Sequence, residues 1–68
     1  MNKKQDLLIN FVATKYKRSI GEINRDVIIG YDTNEIITDF AITHQIALRR
    51  PNIESPTRTL GYLLDQLA

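Results

Sequence analysis

His44 is the single histidine of a chain that has no cysteine, so it stands alone as a general base of the usual kind. Phe40 and Leu48 flank it at helical spacing, which places it near an apolar face as a packed or surface residue. Asp32, Glu35 and Asp39 cluster at the start of the same stretch, where they suit helix capping and dipole compensation at least as well as metal ligation. A Gly-rich phosphate loop and a Gly-x-Ser-x-Gly elbow are both missing. These residue types argue against an enzyme, and no metal or cofactor is expected. Binding chemistry is better represented. Arg49, Arg50, Ser55, Thr57, Arg58 and Thr59 crowd one stretch. Arginine pairs bidentately with guanine, and threonine bonds phosphate or touches a thymine methyl. Lys15, Lys17 and Arg18 form a second basic cluster, able to add phosphate contacts or simply to complement a helix C-terminus.

The elements that must position these groups read as four helices. Leu7, Leu8, Phe11, Val12 and Tyr16 recur at three- and four-residue spacings and predict a helix over 3–17. Ser19 and Glu22 have the spacing of a capping box and predict a second helix from Ile20 to about Ile29, closed by a left-handed Gly30. The β-branched run Val27-Ile28-Ile29 makes a short strand near 27–31 the rival. Asp32-Thr33-Asn34-Glu35 offers another capping box, ahead of a third helix from Thr33 to Arg49 with Arg49 and Arg50 at its dipole end. Ser55 and Pro56 suit the N-cap and first position of a fourth helix, whose stripe is Leu60, Leu63, Leu64 and Leu67. Gly61 in its middle suggests close approach by another helix. The expected fold is all-α, a compact bundle of about four helices in one domain, 1–68.

The third and fourth helices with their Arg-Arg-Pro loop form a helix-turn-helix-like pair. In such pairs the second helix puts its N-terminal residues against the bases, here Thr57, Arg58 and Thr59, and the open N–H groups at its start favour phosphate. Residues 38–67 resemble the DNA-binding helices of winged-helix repressors of the ferric-uptake-regulator type. Arg58-Thr59-Leu60 and Leu63 match that family's recognition helix, with Ser55 in the capping position, and Thr38-Asp39-Phe40-Ala41-Ile42 loosely resembles the start of the helix before it. The resemblance implies double-stranded DNA as partner and transcriptional regulation as role. The chain departs from the family in lacking the Val-Tyr pair, a wing hairpin and the ligands for metal sensing, so metal regulation is not implied. A carrier protein of the acyl-carrier type would need a serine in an Asp-Ser-Leu-like motif and strong acidity; neither occurs.

Composition bounds these expectations. Nine Lys and Arg against eight Asp and Glu leave a net charge of +1, too small to indicate a nucleic-acid partner without a favourable distribution. A chain of 68 residues buries only roughly 60% of its unfolded surface. Without cysteine it has no disulfide to help, so a homodimer is the expected extra source of stability. No apolar run reaches membrane-spanning length and no signal peptide is evident, which points to the cytoplasm. Ile9, Ile29, Ile42, Ile46 and Ile53 exceed one stripe per helix and motivate the alternative function, a small adaptor docking on another protein through an apolar face.

Overall fold

The first helix forms where its apolar stripe predicts it. A computed structural model describes residues 2–52 and 58–68 of the chain, and α1 spans Lys3–Tyr16. The Asn2 side chain caps its start, accepting the Gln5 N–H at 2.8 Å and satisfying one of the donors a helix N-terminus leaves open. Lys17 closes it in the left-handed conformation (φ 56°), and the Arg18 N–H returns to the Ala13 carbonyl at 2.9 Å, as in a Schellman end. Leu8, Ile9, Val12 and Ala13 bury its inner face.

The helix expected over Ile20–Ile29 is replaced by one 3-10 turn at Ile20–Glu22. The Ser19 hydroxyl donates to the Glu22 carboxylate at 3.0 Å, and Ser19 makes no side-chain cap to the backbone. Asn24 then closes a turn, its side chain accepting the Asp26 N–H at 2.9 Å and its carbonyl the Val27 N–H at 3.1 Å. Such local bonds compete with a helix. Ile28 makes an isolated antiparallel bridge with Thr59: the Ile29 N–H donates to the Arg58 carbonyl at 2.8 Å and the Leu60 N–H to the Val27 carbonyl at 2.7 Å. The short strand proposed near 27–31 is thus reduced to one bridge. Gly30 is left-handed (φ 49°), but it opens a 3-10 turn, Gly30–Asp32, that leads into the next helix.

That helix, α2, spans Thr33–His44 and stops short of Arg49. Gln45 is left-handed (φ 54°), with its N–H on the Ala41 carbonyl at 2.8 Å and its side-chain amide on the Ile42 carbonyl at 3.0 Å. Leaving the helix there lets Leu48 turn into the core. Arg49 and Arg50 therefore lie beyond the helix and not at its dipole end. The start of the last predicted helix, at Ser55 and Pro56, lies outside the described residues. Arg58 and Thr59 are not helical, because the Arg58 carbonyl accepts from both Ile29 and Gly30 and Thr59 is paired in the bridge. The final helix, α3, spans only Gly61–Leu64 and continues as a 3-10 turn, Asp65–Leu67.

The described residues thus form three α-helices, one of them a single turn, in place of the expected four-helix bundle, and the fold is mainly helical with almost no strand. Leu8, Ile36, Phe40, Leu60 and Leu63 are fully buried at its centre. Phe11 meets Phe40 edge-on, with ring centroids 5.5 Å apart. Ile9 and Ile29 belong to this core and Ile46 packs partly against it; Ile42 is exposed, and Ile53 lies outside the described residues. The two ends are tied together: the Asn2 side chain donates to the Leu67 carbonyl at 2.6 Å and the Gln5 side chain to the Leu64 carbonyl at 3.0 Å. The radius of gyration, 10.9 Å, is about that of a folded domain of this length. No helix among the described residues is long and apolar enough to cross a membrane.

Candidate nucleic-acid interface

Tyr62 and Gln66, one turn apart, hold the segment carrying Arg49 and Arg50 against α3. The Tyr62 hydroxyl donates to the Arg50 carbonyl at 2.9 Å. Gln66 grips Arg49 twice, accepting its N–H at 2.6 Å and donating to its carbonyl at 3.1 Å. The Arg58 guanidinium lies over the Tyr62 ring, 5.6 Å from its centroid, a cation–π arrangement. The Arg50 side chain reaches α2, where Nη1 donates to the Asn34 side-chain oxygen at 2.9 Å. Asn34 is neutral, so this bond orients the guanidinium without cancelling its charge. The backbone of Arg49 and Arg50 and the guanidinium of Arg58, from two separate stretches, are thereby brought to Tyr62 and Gln66, while the Arg50 guanidinium is held on Asn34.

The other predicted contacts fare differently. Ser55 and Thr57 lie outside the described residues, and Thr59 is exposed in the bridge. Lys15 lies 3.1 Å from both Glu35 and Asp39, and these two hydrogen bonds hold its pKa above the ordinary lysine value. Arg18 sits 3.8 Å from Glu22, and Lys17 serves as the C-terminal cap of α1. Lys15 and Arg18 are thus committed to carboxylates and add nothing to the cluster about Tyr62.

The acidic residues at the start of α2 are answered by α1. Lys15 fills the space between Glu35 and Asp39, and Asp32 accepts the Tyr16 hydroxyl at 3.0 Å. Partial burial, then that bond, push the Tyr16 phenol up to about 12. His44 is packed against the rings of Phe40 and Phe11, at 5.1 and 6.3 Å between centroids.

The start of α3 does not offer open N–H groups to a phosphate. Leu60, Gly61 and Tyr62 donate theirs to the carbonyls of Val27, Arg25 and Thr59. Sequence reasoning found the arginines but missed Tyr62, Gln66 and Asn34, which place them. Arg58, Tyr62 and Gln66 recur at four-residue spacing, the one signal that could have joined them.

A second feature is apolar. A cleft of about 310 Å³ opens between α1 and the 23–29 segment, lined by Val12, Tyr16, Ile23, Val27, Ile28 and Ile29 among others. Ile28 at its lip is 70% exposed. No family model matches the chain, and neither a curated protein nor a solved structure matches it.

Proposed function

We propose that this protein binds nucleic acid through phosphate contacts from Arg49, Arg50 and Arg58. The observation that carries the proposal is that Tyr62 and Gln66 hold the Arg49–Arg50 backbone beside the Arg58 guanidinium, joining two stretches of chain, with the Arg50 guanidinium oriented by Asn34. Backbone positions fixed by hydrogen bonds reduce the conformational freedom lost on binding. The expected mode is contact with phosphates rather than insertion of a helix into the major groove, because Arg58 and Thr59 precede α3 instead of forming its first turn.

Fluorescence anisotropy with labelled mixed-sequence oligonucleotides over a series of salt concentrations tests this function. Three phosphate contacts should give a log–log slope of about −2 to −3. The Arg50→Ala/Arg58→Ala double variant should bind much more weakly with an unchanged circular dichroism spectrum. Absence of binding at low salt, or a silent double variant, overturns the proposal.

A second reading, docking on another protein, is favoured by the apolar cleft and the exposure of Ile28 at its lip. It reverses the sensitivities: the arginine variant is silent and Ile28→Asp abolishes association.

A further inference from the structure

We infer that the nucleic acid bound is single-stranded, with one base stacking on Tyr31 and the flanking phosphates held by Arg50 and Arg58. The inference rests on the nucleic-acid function proposed above and names its substrate class. Tyr31 is 84% exposed, more than any other large apolar or aromatic side chain of the described residues. It contributes nothing to the core, while Ile29, two residues before it, is buried.

Its position is fixed from both sides by the arginine cluster. Gly30, its neighbour in sequence, donates its N–H to the Arg58 carbonyl at 3.2 Å. Asn34, about one turn further on, accepts from the Arg50 guanidinium at 2.9 Å. The segment carrying the ring is therefore tied to the Arg58 backbone before it and, through the Asn34 side chain, to the Arg50 guanidinium after it. Its left-handed Gly30 and the Asp32 N–H on the Ile29 carbonyl at 2.9 Å set the turn. Asp32 and Glu35, close to Tyr31 in sequence, are engaged by Tyr16 and Lys15 from α1.

An exposed aromatic ring on a segment tied to arginines offers the combination that single-strand binders use, because every base has a π-face and the backbone supplies regular charge. A duplex keeps its base faces inside the stack and would leave this ring without a partner. Entry into a groove would need a projecting helix or ribbon. Here α3 is a single turn whose first N–H groups are already bonded, and the lone bridge Ile28–Thr59 is too short to serve as a ribbon.

The test compares a labelled single-stranded oligonucleotide with the same sequence as a duplex, for the parent protein, Tyr31→Ala, Tyr31→Phe and the Arg50→Ala/Arg58→Ala double variant. The single strand should bind more tightly than the duplex. Tyr31→Ala should weaken single-strand binding by about 5- to 150-fold, and Tyr31→Phe should restore it, since stacking needs the ring and not the hydroxyl. Equal binding of duplex and strand, or a silent Tyr31→Ala beside a damaged arginine variant, overturns the single-strand inference and leaves nucleic-acid binding standing. Loss of binding to both oligonucleotides in the parent protein overturns both.

Discussion

Tyr16 holds its proton more tightly in the folded chain than in the unfolded one. Partial burial and the bond to Asp32 push its pKa from 10.0 up to about 12. A raised folded-state pKa gives stability that is complete below the unfolded value and lost as pH rises through the folded one. Lys15 acts in the same direction, because its hydrogen bonds to Glu35 and Asp39 raise its pKa above 10.5. The urea midpoint should therefore fall between about pH 10 and about pH 12. Tyr16→Phe should make that fall shallower, leaving the share that belongs to Lys15. Urea melts followed by circular dichroism across this range check it; an equally steep fall in Tyr16→Phe would show that the phenol is not the group.

At the scale of elements, Gly61 decides how α3 meets the 23–29 segment. A Cβ there would lie 3.1 Å from the Arg25 carbonyl oxygen and 3.2 Å from its Nη2. That carbonyl accepts the Gly61 N–H at 2.9 Å, and the Arg25 guanidinium is paired twice with Asp65, at 3.0 Å each. Arg25 is thus anchored at both ends and has little room to yield. Alanine gains about 1 kcal/mol of helix propensity, but overpacking costs about 1–3 kcal/mol. Gly61→Ala should therefore leave the protein less stable by up to about 2 kcal/mol, read from the urea midpoint; a gain would mean that Arg25 shifts freely. The close approach was legible in the sequence as a glycine inside a leucine stripe, but its partner is a loop residue rather than a helix. The first helix and the start of the third were legible for a related reason: periodic apolar residues within one segment decide them. The middle of the chain was not. Ser19 and Glu22 have capping-box spacing yet bond each other, and Ile28 is drawn into a bridge with Thr59 by the bonds of Val27 and Ile29 to Leu60 and Arg58. Pairing so distant in sequence leaves no local mark. The same holds for the site, where arginine identities could be read but their placement depends on contacts with Tyr62, Gln66 and Asn34 that are distant in sequence.

For the molecule as a whole, one core joins α1, α2, α3 and the 23–29 segment, so none of these helices can be lost independently. A domain of this length has about 3–10 kcal/mol of total stability. Phe40 has no exposed surface and joins α2 to α1 through Phe11, while also packing on His44. Truncating such a side chain costs about 3–5 kcal/mol, because the gap closes only in part. Phe40→Ala should lower Tm by about 12 to 40 °C, or leave no cooperative transition at all. The consequence reaches the candidate site, since Arg50 is oriented by Asn34 on α2 and held by Tyr62 on α3. The nucleic-acid binding proposed for this site should then disappear at the temperature where Phe40→Ala unfolds, whereas Tyr31→Ala, altering an exposed ring, should leave the melting curve in place. A Phe40→Ala protein that melts within a few degrees of the parent would show that the helices hold their positions without this contact.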